Sequence, residues 1–577
     1  MRHRFTLVDL GIFGLTLIVS LVIGLWYALG GQKPQNTDDF LLGGKQMPLV
    51  PMALSLLSSV VSGISLLSYP AEIYTMGTAF CWSAVGITLA LLCTGTFVVP
   101  VIYYVRSVSV YHYLEERFES RLLRGYAVLL FTGGSLLYMS VALYAPSVAL
   151  SGVTDVPTWA LIISVGAACT VYTSIGGLKA VVWTDTFQAV IMYAGSITLA
   201  VMGTVSVGGP ANVFAVAQNH SRLDGLRNFD PNPFQYMTVW TALFGGFFYW
   251  FTSFGSNQIS LQRYCSMSTV GRARALTLLT IPLMWLVCLI VFYTGLVMFA
   301  YYEHCDPLKS RRIKTRDQLV IFFMTDVFRE FHGLPGVFLA CLFSGTLSTV
   351  SSGINSLSAV AWAEFIEPLQ RGRTDAKTAT RITKLFGCVY GLTAIGLAFA
   401  AEPLGGILKA VTSGIGALGG PVLGVIMLGV MASWANWLGG LAGIVCGSAL
   451  ALWVFIGQNV YRPTMPVLGT SIDGCQLTNI SIESLNRSLD LNLNQTHPLD
   501  RAVSKTALQN FYSLSFFMFA FLGATTTFAV GAAVSYFTGG TSVSQQRPEL
   551  VFWTRNRNRS RKSEDSRGNL MEPETVG

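Results

Sequence analysis

Thirteen apolar runs, each long enough to cross a bilayer as a helix, divide this chain from near its start to about residue 538. They fall near 7–30, 48–76, 79–105, 124–152, 157–177, 180–207 and 235–257. The others lie near 275–302, 335–365, 381–401, 404–431, 435–458 and 511–538. Lipid offers no partner for a lone span's backbone, so each run is expected to be helical. The fold class read from this is an all-α polytopic membrane protein with about 13 transmembrane helices. Composition agrees: charged residues are 11% of the chain, against about 25% in an average soluble protein. That excludes a disordered chain, a nucleic-acid-binding protein and a secreted disulfide scaffold. Ten cysteines are scattered with no CxxC pair or Cys/His cluster, so no zinc or redox site is expected.

Two signals orient the spans. Three N-x-S/T sequons, at Asn479, Asn486 and Asn494, sit in the polar segment 459–510, and a fourth lies at Asn219. With thirteen spans, both loops fall on one side, read as extracellular. The other side collects Arg106, Arg117, Arg121, Arg124, Arg263, Arg272, Arg274, Arg371, Arg373 and the run RNRNRSRK (555–562). This is the positive-inside bias, and it accounts for much of the net charge of +8. The N-terminus is expected outside and the C-terminus inside. One loop breaks the rule, KSRRIKTR (309–316) on the outside, and a sequon at Asn558 in the inside tail is read as chance. Cys305 and Cys475 both fall in outside loops and either pair or remain free thiols. The tail 541–577 reads as polar, cytoplasmic and disordered.

Three spans do not look like plain lipid anchors. Span two (ALSLLSSVVSGISLLSYPAE, 53–72) is rich in serine and carries Pro70. Span nine (LACLFSGTLSTVSSGINSLSAV, 339–360) is rich in Ser and Thr, and span eleven (GGILKAVTSGIGALGGP, 405–421) in Gly. Hydroxyls, and carbonyls freed at Gly or Pro breaks, are the hard ligands an alkali cation takes. Small residues also serve plain helix packing. Asp185, in AVVWTDTFQAVIMYAG (180–195), is the sharpest single residue, because a carboxylate at bilayer depth costs several kcal/mol. Gln188 follows one turn on, on the same face. The alternative for Asp185 is a solvated edge position. Lys409 either attracts an anion or snorkels to the interface.

The segments YPAEIYTMG (69–77), VYTSIGGLKAVVWTDTFQ (171–188), SNQISLQRY (256–264), FLACLFSGTLSTVSSGINS (338–356) and LGGPVLG (418–424) resemble the sodium/solute symporter family. The likeness runs from about 7 to 540. It is greatest to the branch of the iodide, multivitamin and monocarboxylate carriers. The resemblance implies a LeuT-like 5+5 inverted repeat within a transporter domain over 1–540. Its two halves would span about 47–207 and 235–431, with peripheral helices at about 7–30, 435–458 and 511–538. Spans two and seven would be broken at mid-membrane, the latter near LFGGFF (243–248). The resemblance also implies a sodium site at Ser59, Gly345, Ser348 and Thr349, with Asp185 and Gln188 beside the sodium path. Ser62, Ser65, Tyr138, Trp250 and Thr412 match the branch's substrate region.

The chain departs from the iodide carrier's pattern at Ser65 and Ile87, where that carrier has glutamines. The expected function is sodium-coupled import of a small organic anion, first a monocarboxylate. Biotin or pantothenate is the alternative, and iodide or sugar ranks lower. A sodium-binding channel, a non-transporting sensor and a membrane-embedded enzyme are the other classes. No HExxH, Walker A or GxSxG motif is present, so no catalytic activity is expected. The expected partners are Na⁺, the solute and the bilayer of the plasma membrane, with no nucleic acid and no cofactor beyond Na⁺ as coupling ion.

Overall fold

The computed structural model describes residues 5–29, 37–105, 107–154, 156–370, 376–401, 407–461, 463, 467–475, 506–540 and 547–553. Asn479, Asn486, Asn494, Asn558, Arg106, Arg371, Arg373 and the run 555–562 lie outside them. Among the described residues the regular structure is entirely helical.

The first span is α1 (Leu7–Leu29). Span two is a pair, α2 (Leu49–Val60) and α3 (Gly63–Met76), bent by 62°. Span three contains α4 (Ser83–Cys93), and span four is α5 (Arg121–Val153). Spans five and six run together as α6 (Thr158–Val207), which turns at Gly177, where φ is 65°. Span seven is again a pair, α7 (Gly246–Gly255) and α8 (Gln258–Cys265). Then come α9 (Val270–Tyr301), α10 (Leu334–Ala361), α11 (Ala376–Phe399), α12 (Ile407–Met431), α13 (Trp437–Tyr461) and α14 (Met518–Phe537). Among the described residues ten helical stretches are long and apolar enough to span, with span three taken over Thr78–Ile102, or eleven with the bent pair counted as one. The turn at Gly177 and the shorter pair α7/α8 make this compatible with the thirteen spans expected.

Burial ranks the helices. The most apolar stretch of α10 is 94% buried, whereas that of α1 is 17% buried. So the hydroxyl-rich helix is the axis of the bundle, packed against α1, α2, α3, α5, α6 and α11. That placement follows from its sequence, because Ser and Thr hydroxyls gain nothing from facing lipid and can bond across helices inside. At its centre α10 crosses the break of span two with no side chain between. A Cβ on Gly63 would stand 2.7 Å from Thr346 Oγ1, and one on Gly345 would stand 2.8 Å from the Gly63 nitrogen.

The break itself falls at Val61–Ser62, where both residues are extended. It is not at Pro70, which lies within α3. Span seven departs from expectation. Residues 243–248 do not break it: Thr241–Gly245 is wound as a π-helix and continues into α7 with helical dihedrals. Gly245 and Gly246 instead give close packing, on Phe517 and Ser83 respectively. The break lies at Ser256–Asn257, where Asn257 caps α8 by accepting from the Ile259 N–H.

On the sequon side, Cys305 and Cys475 are joined by a disulfide. Asp306 N–H donates to Ser471 O, Gly474 N–H to His304 O, and Lys309 Nζ to Thr470 O. The basic loop that broke the positive-inside pattern is thus built into this cap. Asn219 is exposed. On the opposite side Arg117 is buried and donates to the carbonyls of Gly429, Ala432, Ser433 and Ala435. Residues 547–553 depart from the expected disorder. Leu550, Val551 and Phe552 are buried, and Tyr113 Oη donates to Leu550 O.

Candidate functional site

Asp185 is fully buried, which excludes the solvated edge position. It projects from α6 into the crossing of α2 and α10. Its Oδ1 lies 2.7 Å from Ser348 Oγ, and its Oδ2 accepts from Ser55 Oγ at 2.6 Å. Ser348 Oγ is also 2.9 Å from Ser58 Oγ, and Thr349 Oγ1 is 3.4 Å from the Ser59 carbonyl. So Ser59, Ser348 and Asp185 meet at one point, with Thr349 at the Ser59 carbonyl, while Gly345 lies against Ser62 and Gly63. Gln188 does not join them: it is buried, but its amide turns to Ser20 on α1 at 3.3 Å.

The cation already in this cluster is Arg263. It is not an inside loop charge, as its place in the sequence suggests, but is 1% exposed. Its Nη2 is 3.1 Å from Asp185 Oδ2 and 2.6 Å from both Ser59 Oγ and Ser352 Oγ. Nε donates to Ser55 Oγ at 3.0 Å and Nη1 to the Ile259 carbonyl at 2.8 Å. A buried charge needs a partner and filled hydrogen bonds, and a guanidinium carries five donors. Here Asp185 is the partner, and all three guanidinium nitrogens donate. The second half-helix of span seven is therefore tied through Arg263 to span two, to α6 and to α10.

Next to this cluster a cavity runs from the break of span two toward Tyr111. It is lined by Ser59, Tyr138, Tyr249, Ser256, Asn257 and Thr349, among others. Tyr138 Oη donates to the Val60 carbonyl, freed by the break, at 3.1 Å. It also lies beside Ser62 and Thr349, while Tyr69 lies beside Ser65, and Tyr249 beside Thr412. The three rings gather Ser62, Ser65, Tyr138 and Thr412 into one polar centre. Trp250 is buried beside Tyr249 and stacks on Phe254, and its Nε1 has no partner among the described residues. Ser62 also caps α3, accepting from the Ile64 N–H. Tyr69 and Tyr249 were missed from sequence, since an aromatic in an apolar run reads as packing.

Beyond this centre, one and two turns along α3, Ser68 and Glu72 face a second cavity with Tyr236, Arg316, Asp317 and Lys409. Ser68 Oγ is 3.5 Å from Asp317 Oδ1. Asp317 lies outside the spans, and burial pushes its carboxyl up to about 6. Among the described residues no group of three or more His, Cys, Asp and Glu could hold a metal ion.

A many-helix membrane bundle, with two broken helices against a hydroxyl-lined axis, is the build of a carrier. Residues 40–447 match the family model described as "Sodium:solute symporter family". The chain belongs to that family. It is therefore a multi-pass, sodium-coupled solute symporter and not an enzyme. The mouse (Mus musculus) sodium-coupled monocarboxylate transporter 1 is 36% identical over 540 residues, 93% of this chain and 88% of the relative. The human (Homo sapiens) sodium/iodide cotransporter is 37% identical over 563 residues, 96% and 87% of the two chains. The rabbit (Oryctolagus cuniculus) sodium-dependent multivitamin transporter is 36% identical over 549 residues, 95% and 85%. A solved Na⁺-coupled sialic acid symporter, substrate-bound and outward-open, superposes with a TM-score of 0.74 at 20% identity. That match covers 93% of this chain and 100% of that one. It carries the fold: a LeuT-like 5+5 inverted repeat.

Proposed function

We propose that this protein imports a small organic anion, a monocarboxylate first, with Na⁺ across the plasma membrane, N-terminus outside and C-terminus inside. One observation supports the sodium half best. The hydroxyls of Ser59, Ser348 and Thr349 and the Asp185 carboxylate converge where span two unwinds against α10. Ser348 and Thr349 supply hydroxyl ligands, and Ser59 and Gly345 contribute from the facing side chain or backbone. Asp185 attracts the ion, and Gln188, whose amide turns to Ser20 on α1, is not among the ligands.

The solute binds beside the ion, among Ser62, Ser65, Tyr138, Trp250 and Thr412, with Tyr69 and Tyr249. Hydroxyl donors and the N-terminal end of α3 favour an anionic group there. Ser65 and buried Ile87, in place of two amides, disfavour iodide. Sodium binds first from outside and fixes the broken helix. The solute completes the pocket, and one half then rocks against the other. With the N-terminus outside, the Tyr111 end of the first cavity faces the cytoplasm.

The driving force suffices. One Na⁺ moving down 100 mV releases about 2.3 kcal/mol, and a tenfold gradient adds about 1.4 kcal/mol. Moving a monoanion against the potential favours two ions. A vitamin carboxylate is the second reading, because the multivitamin and monocarboxylate relatives match equally, at 36%. The test is uptake by proteoliposomes of radiolabelled lactate, butyrate, biotin, pantothenate, iodide and glucose, with and without Na⁺. Lactate or butyrate should accumulate only with Na⁺. Accumulation of biotin alone moves the assignment to vitamins, and equal uptake in choline buffer removes the coupling.

A further inference from the structure

Arg263 occupies oxygens that a sodium ion would need. Its Nη2 is 2.6 Å from Ser59 Oγ and Ser352 Oγ and 3.1 Å from Asp185 Oδ2. Protons pointed at these lone pairs exclude a cation from them, and a second positive charge beside the guanidinium would be repelled. The site nonetheless holds a carboxylate that no water reaches. An empty carrier must carry that carboxylate through its return with no ion bound, and an uncompensated buried carboxylate is strongly unfavourable.

We propose that the Arg263 side chain and sodium are alternative occupants of the Ser59–Ser352–Asp185 cage, the arginine serving as a tethered cation that neutralises Asp185 while the carrier returns empty. Arrival of sodium moves the guanidinium off Ser59 and Ser352. Because Arg263 rides on α8, that motion is passed directly to the half-helix beyond the Ser256–Asn257 break. Thus one exchange of cations both loads the site and shifts the element lining the cavity. This rests on the sodium site proposed above, of which Arg263 holds Ser59 and Asp185, with Ser352 as the added oxygen.

The test uses the full chain in proteoliposomes and the panel compound with the largest sodium-dependent uptake. Net uptake into vesicles empty of sodium and solute requires the empty return; exchange into preloaded vesicles does not. Arg263→Gln should lower the ratio of net uptake to exchange by about tenfold or more. Asp185→Asn combined with Arg263→Gln, which leaves no net charge, should bring the ratio back toward that of the unaltered protein. A parallel fall in both modes makes Arg263 a structural residue and overturns the proposal.

The unaltered protein gives an independent check. Structures determined with and without sodium should differ in the contacts of Nη2 with Ser59 and Ser352. A guanidinium that keeps both contacts at saturating sodium overturns the proposal even if no variant folds. Sodium-independent uptake by the unaltered protein would instead remove the sodium site itself.

Discussion

The two charged regions on either side of the polar centre are built differently. At Asp185 the opposite charges touch, and hydroxyls from Ser55, Ser59, Ser348 and Ser352 surround the pair. At the second cavity Glu72, Asp317, Arg316 and Lys409 face a shared space, and Glu72 Oε1 has no hydrogen-bond partner among the described residues. The first arrangement suits a group that trades one cation for another without ever being bare. The second suits transient, screened attraction of a solute on its way in. Lys409, ambiguous in sequence, takes its place there, beside Arg316.

The largest expected effect lies in the inner region. Asp185→Asn should lower sodium-dependent uptake by about tenfold or more, since it leaves Arg263 buried without its counter-charge. A wild-type rate in the flux assay would erase the contrast between the regions. Replacing Ser348 and Thr349 together with Ala should raise the Na⁺ concentration for half-maximal uptake by roughly fivefold. Surface delivery, followed by labelling intact cells, should be kept. An unchanged sodium dependence would take both hydroxyls out of the site.

The region of the second cavity should respond more weakly, and to pH. Burial raises the Asp317 carboxyl from its usual 3.8 to about 6. The folded protein therefore holds this proton more tightly than the unfolded chain does. Its contribution to stability is full below pH 3.8 and is lost as the pH rises through about 6. Protonation also leaves the positive charges of Arg316 and Lys409 less opposed. Apparent affinity for lactate should rise roughly threefold on going from an outside pH of about 7.5 to about 5.5. Asp317→Asn should flatten that profile at its acid value, and a slope kept in this variant would place the titration elsewhere. The smallest change in transport is expected from Cys305→Ser with Cys475→Ser. Rates should stay within about twofold while the unfolding midpoint falls, because the bridge closes a long loop. Equal thermal stability would show that the hydrogen bonds of the cap suffice.

The fold was largely legible, because lipid forces helices and the serine-rich runs stood apart from plain lipid anchors. Asp185 was legible as a lone carboxylate in an apolar run. Arg263 was not, because in SNQISLQRY it lies at the end of an apolar stretch and reads as one more loop arginine. Only the third dimension brings it to Asp185, 78 residues away in sequence. The break of span seven was misplaced for a related reason. Paired glycines read as a weak point, yet Gly245 and Gly246 thin the helix for close neighbours. Asn257, which can cap a helix, marks the interruption. The expectation for Gln188 failed on direction: helical spacing gives a face about a turn wide, and α1 lies on one edge of it.

At Gly63 and Gly345 two main chains touch with nothing interposed. Segments that tilt relative to one another turn about their tightest contact, as a beam turns on its fulcrum. Ser62 and Thr346, next to that point, would hardly travel, while Met76 and Ala361, at the far helix ends, would sweep widest. The proposed cation ligands Ser59 and Ser348, within about a turn of that contact, thus sit where leverage is small.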